Sequence, residues 1–99
     1  MHIISRKRLK DFWRQPRYAD SERALRAWYA DAKRSQWRTS AEIKRAIGSA
    51  SIVSSDRVVF NICGNKYRLV VAIRYDKGCI YIRFVGTHPE YDQVDACTI

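Results

Sequence analysis

The residue types best able to act on a phosphodiester gather in the second half of the chain, between Asn61 and Tyr91. His88 is the centre of the set, because an imidazole both gives and takes protons near neutral pH. Arg68 and Arg83 offer planar guanidinium forks suited to a phosphate, and Lys66 adds a third charge. Tyr81 and Tyr91 can stack on a base, or donate a proton where neighbouring cations favour the phenolate. Asn61 and Arg74 complete the polar group. Together these side chains supply what cleavage of RNA by its own 2′-hydroxyl requires. That reaction needs a base for the hydroxyl, positive charge at the phosphorane and an acid for the departing 5′-oxygen. Each residue also has an ordinary use. A histidine ahead of a proline caps a turn, a tyrosine at position 91 folds back onto a sheet, and alternating cations solvate a strand. As a cluster they say more, since anion binding wants several cations in one place.

What would hold that cluster together is a period of two that begins at Arg57. Val58, Phe60 and Ile62 alternate with Val59, Asn61 and Cys63, and Gly64-Asn65 marks a tight turn. The alternation resumes from Lys66 to Tyr75. Asp76-Lys77-Gly78 then forms a three-residue hairpin loop, with Gly78 where positive φ is tolerated. A last strand runs from Cys79 to Val85. One face, built from Val58, Phe60, Ile62, Leu69, Val71, Ile73, Ile80, Ile82 and Phe84, is apolar and must pack on helices. The opposite face carries Asn61, Lys66, Arg68, Arg74, Tyr81 and Arg83. Residues 86–90 lead into a short helix or turn, with Pro89 suited to a first helical position and Asp92 and Asp95 as solvating charges beyond it.

The first half supplies the helices. His2-Ile3-Ile4 reads as a short strand, and Ser5 caps a helix from Arg6 to about Gln15 that buries Leu9, Phe12 and Trp13 before Pro16 stops it. Asp20 or Ser21 caps a second helix to about Arg34, with a stripe of Leu25, Trp28, Tyr29 and Ala32. Ser40 begins a third, placing Ile43 and Ile47 one turn apart until Gly48. Residues 49–56 read as a connector. Trp13, Trp28 and Trp37 lie on or beside apolar stripes and belong to the core.

Ninety-nine residues leave room for one domain, residues 1–99, of α+β class: helices on one face of a small antiparallel sheet. Nineteen Lys and Arg against ten Asp and Glu give a net charge of +9, which implies a polyanionic partner. The charge is lopsided. Residues 1–50 hold 13 basic and 5 acidic side chains, and residues 51–99 hold 6 and 5. No apolar run spans a membrane, and the start of the chain lacks the apolar stretch of a signal peptide. Cys63, Cys79 and Cys97 are odd in number and lack metal-ligand spacing, so reduced thiols in the cytoplasm are expected, with no metal and no cofactor.

Several segments carry a resemblance. Leu25-Arg26-Ala27-Trp28-Tyr29, Val58-Val59-Phe60-Asn61-Ile62, Gly64-Asn65-Lys66-Tyr67-Arg68-Leu69-Val70 and the run from Tyr81 to Asp92 resemble, in order, the HigB branch of RelE-like toxins. That resemblance extends over essentially the whole chain and implies a compact RelE-like α+β fold. It further implies a type II toxin that cuts translated mRNA at the ribosome and is neutralised by a cognate antitoxin, itself a small helix-turn-helix protein. Its cleft would include Asn61, Lys66, Arg68, Arg83, His88 and Tyr91. With one histidine in that region, a two-imidazole mechanism would need His2 to fold back to the site. A non-catalytic basic module that binds RNA or an acidic protein is the alternative; it needs the cations but not His88 and Tyr91.

Overall fold

Apolar periodicity accounts for most elements of the computed structural model, which describes all 99 residues. Strand β1 (His2–Ile4) leads into helix α1 (Arg6–Trp13), whose Leu9, Phe12 and Trp13 are buried at the expected spacing. Helix α1 ends two residues before Gln15, and the chain past Pro16 winds into a 3₁₀ turn (Pro16–Ser21) that periodicity does not announce. Helix α2 (Glu22–Arg34) buries Leu25, Trp28 and Ala32. It carries Glu22 in its first turn and Lys33 and Arg34 in its last, the arrangement that its dipole favours. Ser21 precedes α2 without capping it by its side chain; its hydroxyl donates to the Tyr18 carbonyl at 2.7 Å. Helix α3 (Ser40–Ala46) begins at Ser40 as expected and is capped by Thr39, whose hydroxyl accepts from the Glu42 amide at 3.3 Å.

The connector holds a two-residue strand, β2 (Ser51–Ile52), followed by β3 (Arg57–Ile62), β4 (Tyr67–Arg74), β5 (Cys79–Thr87) and the short helix α4 (His88–Tyr91). The sheet order is β1-β5-β4-β3-β2. It is mixed and not wholly antiparallel, because β1 runs parallel to β5. Both hairpin loops have four residues, since Ile62 pairs with Tyr67 and Arg74 with Cys79. Gly78 takes φ +64° as its type allows, and Cys63 joins Gly64 in the left-handed region.

The main core lies between the helices and one sheet face, where Val58, Phe60, Ile62, Leu69, Val71, Ile73, Ile80 and Ile82 all fall. Trp28 and Trp37 pack against Phe60, with ring centroids 5.4 and 6.4 Å away. Phe84 departs from the expected face. Val71 pairs with Ile82 but Val70 with Phe84, so β5 carries one extra residue at Arg83. This bulge reverses the phase of the strand beyond it. Phe84 joins Val59, Val70 and Ala96 in a second, smaller cluster on the other face, with Tyr91 and Ile99 at its margin. That face is therefore roofed in part by the C-terminal segment, which Arg57 ties down through the main-chain oxygen of Ile99 at 3.1 Å.

Candidate functional site

Across the outer face, Asn61 pairs with Arg68 and Arg68 with Gly86, which puts an amide, a guanidinium and a side-chain-free position in one row. A Cβ at Gly86 would stand 2.6 Å from Cζ of Phe84, so a larger residue there would have to push that ring aside. The next residues of β5 turn into α4. Thr87 accepts from the Glu90 amide at 3.3 Å while Glu90 accepts from the Thr87 amide at 2.8 Å, a reciprocal capping box. Its Thr-x-x-Glu spacing is readable in the sequence, although His88 and Pro89 draw attention first. The His88 amide donates to the Lys66 carbonyl at 3.2 Å, which fastens α4 to the start of β4. His88 Nδ1 lies 3.3 Å from Asp92 Oδ2, and the Tyr91 ring stands edge-on to the imidazole with centroids 6.5 Å apart.

Asn61, Arg68, His88 and Tyr91 thus share one end of the sheet. Arg68 holds Nη1 against the carbonyls of Asn65 and Tyr67 at 3.1 and 3.4 Å and pairs with no carboxylate. Its charge is free to meet an anion. Arg83, at the bulge, also lacks a carboxylate and lies over the Tyr81 ring, 5.7 Å from its centroid.

Lys66, Arg74 and Tyr81 are placed differently. Lys66 extends toward the helical side and pairs with Asp20, which also accepts from the Tyr67 hydroxyl. Arg74 pairs with Asp76 at 3.3 Å and stands six residues along β4 from Arg68, about 20 Å at the rise of a strand. Tyr81 lies toward that same far end. His2, paired with Cys79, is there too and does not reach His88.

Asp20, one of the two expected caps of α2, does not cap it; its carboxylate accepts from Lys66 and Tyr67 instead. Its partners are 46 and 47 residues away, so no local spacing marks it. The hydrogen bond from Lys66, then that from Tyr67, holds its carboxyl below the ordinary range. Lys66 is pushed up by the same bond, and Tyr67 is pushed up by burial and then by Asp20. The Glu90 carboxyl is held down chiefly by the Thr87 amide. Depressed carboxylates contribute stability that is complete above about pH 4 and lost as pH falls through their folded values. The raised Lys66 and Tyr67 contribute below about pH 10 and lose it above. Thermal unfolding midpoints should accordingly be flat through neutral pH and fall below about pH 4, with a shallower acid limb in Asp20→Asn. An acid limb unchanged in that variant would show that the Asp20 contacts carry no stability.

A cleft of about 260 Å³ separates α1 from β5, lined by Arg8, Asp11, Phe12, Gln15, Phe84 and Val85. Arg8 bridges it, donating to the Ile82 carbonyl at 2.8 Å where β1 has ended and no longer pairs with β5. On the helical side, Lys10, Arg14, Arg17, Arg23, Arg38 and Arg45 make no ion pair, so that surface stays strongly positive. No helix is long and apolar enough to cross a membrane.

No curated protein matches the chain. A family description does: the HigB toxin, a RelE-like toxic component of a toxin–antitoxin system, over residues 21–94. That span takes in α2, α3, strands β2 to β5 and α4, including the row at Arg68 and the His88 turn. With three-quarters of its length so matched, on an α+β fold with a five-stranded sheet, the chain belongs to the HigB family of RelE-like toxins.

Proposed function

We propose that this toxin is an endoribonuclease that cuts mRNA on the ribosome, in the cytoplasm, by attack of a 2′-hydroxyl on the adjacent phosphate without a metal ion. The observation that carries the reading is that an uncompensated Arg68 lies at the same end of the sheet as His88, whose amide donates to the Lys66 carbonyl two residues before Arg68. Arg68 binds the scissile phosphate and offsets the charge that grows on it. His88 takes the 2′-hydroxyl proton as the 2′-oxygen–phosphorus bond forms. It returns the proton to the 5′-oxygen as that bond breaks, leaving a 2′,3′-cyclic phosphate and a 5′-hydroxyl. Tyr91 stacks on a base or shares the proton transfer, and Asn61 holds a base or ribose edge. Arg83 meets a neighbouring phosphate. Lys66, already neutralised by Asp20, contributes less, and Arg74 and Tyr81 guide RNA farther along the sheet. The positive helical side draws the protein to ribosomal RNA, and an acidic antitoxin segment would compete for it.

The test is expression from a tightly repressed promoter, with growth and the 5′ ends of transcripts followed together. Arrest with new 5′-hydroxyl ends within translated messages is expected, weakened by His88→Ala, Arg68→Ala and Arg83→Ala. Arrest without cut messages would replace the endonuclease reading with that of a binding module. Undiminished cutting in all three variants would remove the proposed site.

A further inference from the structure

We infer that Asp92 is a positioning residue that decides which nitrogen of His88 faces the substrate; the inference rests on the acid–base role proposed for His88. Asp92 Oδ2 lies 3.3 Å from His88 Nδ1, four residues along the chain. The pair is a charge contact and not an aligned hydrogen bond, but an ionised carboxylate repels a ring lone pair and attracts an N–H, so it favours the neutral tautomer with its proton on Nδ1. The lone pair then sits on Nε2, the nitrogen that Asp92 does not touch.

The surroundings leave this task to Asp92. Glu90, the other nearby carboxylate, is folded back onto the Thr87 amide at 2.8 Å. Lys66 approaches His88 through its main-chain oxygen, with its ammonium committed to Asp20. Tyr91 meets the ring edge-on and offers no competing carboxylate. The backbone beneath the imidazole is itself fixed by the capping box, by Pro89 and by the bond to Lys66. As Nε2 takes the 2′-hydroxyl proton, the imidazolium formed is balanced by the carboxylate on its opposite side. Asp92 touches no reacting atom. Both side chains are about half exposed, at 47% and 57%, so the effect is moderate and not absolute.

The experiment reads the tautomer directly. Protein labelled with ¹⁵N-histidine is examined by long-range ¹H–¹⁵N correlation above neutral pH, with the His88 signal assigned by its loss in His88→Ala. His88 should carry its proton on Nδ1 in the intact protein and shift to Nε2 in Asp92→Ala. Asp92→Asn, whose amide oxygen still accepts, should keep part of the Nδ1 form. Turnover on a translated message should fall about tenfold to a hundredfold in Asp92→Ala with little change in substrate affinity, the size usual for loss of an orienting partner. A protein with Nε2–H in its intact form, or a tautomer indifferent to Asp92→Ala, overturns the inference whatever its activity. A tautomer that shifts without any change in turnover also overturns it. If the tautomer shifts as expected but even the intact protein cuts no RNA, the contact stands and the endonuclease reading is what fails.

Discussion

Arg68→Ala is expected to lower RNA cleavage by about 10²–10³-fold, the usual cost of removing one donor that stabilises developing charge. The fold should survive, because the hydrogen bonds of the guanidinium go only to two main-chain carbonyls and it holds no ion pair. Circular dichroism and the unfolding midpoint would confirm that. Arg68→Lys keeps the charge but not the fork, and should recover part of the rate. A graded series follows from the same geometry. Lys66→Ala should cost less, since Asp20 already neutralises that ammonium. Arg74→Ala should leave the cleavage step nearly untouched, because its guanidinium is paired with Asp76 and lies about 20 Å along the strand. Equal losses for Arg68→Ala and Arg74→Ala would mean that the sheet acts as a diffuse anion surface and not as a site.

That ordering is not visible in composition, where Lys66, Arg68 and Arg74 are three cations on an alternating strand. Alternation assigns a side chain to a face and says nothing of its partners. Asp20 lies too far along the chain for a local pattern to pair it with Lys66, and only the folded chain brings the 3₁₀ turn beside β4. By contrast, the row of Asn61 and Arg68, the helical stripes and the strand spans from Arg57 onward follow directly from periods of 2 and 3.6. Strand β2 escapes that logic because two residues have no period, and the parallel pairing of β1 with β5 escapes it because the partners lie far apart in sequence.

The lopsided charge gains meaning from the same comparison. The helical half carries most of the excess, and many of its cations stay unpaired on the surface. Long-range attraction depends on such a field and tolerates rearrangement within it. Stabilising a single phosphate depends on one guanidinium held in place. Added salt should therefore weaken recruitment by the helices much more than it alters the rate of the cleavage step on bound RNA.

Phe60→Ala is expected to destabilise the domain by about 3–5 kcal/mol, as large-to-small changes of buried aromatics do. Phe60 is 1% exposed in the middle of β3, pairs with Leu69, and is the ring that both Trp28 and Trp37 contact. Against a total stability of about 5–15 kcal/mol, the variant should unfold at a far lower denaturant concentration. Tryptophan fluorescence reports the loss, because two of the three tryptophans line the cavity left behind. Phe84→Ala provides the control. Simple alternation puts both phenylalanines on one apolar face, which would predict equal costs. The bulge at Arg83 instead turns Phe84 onto the outer face, where it is only partly buried over Gly86. Its removal should cost less than half as much, and should disturb the wall beside Arg68 more than the core. Matching losses of stability in the two variants would contradict the phase reversal and place Phe84 back among the helices.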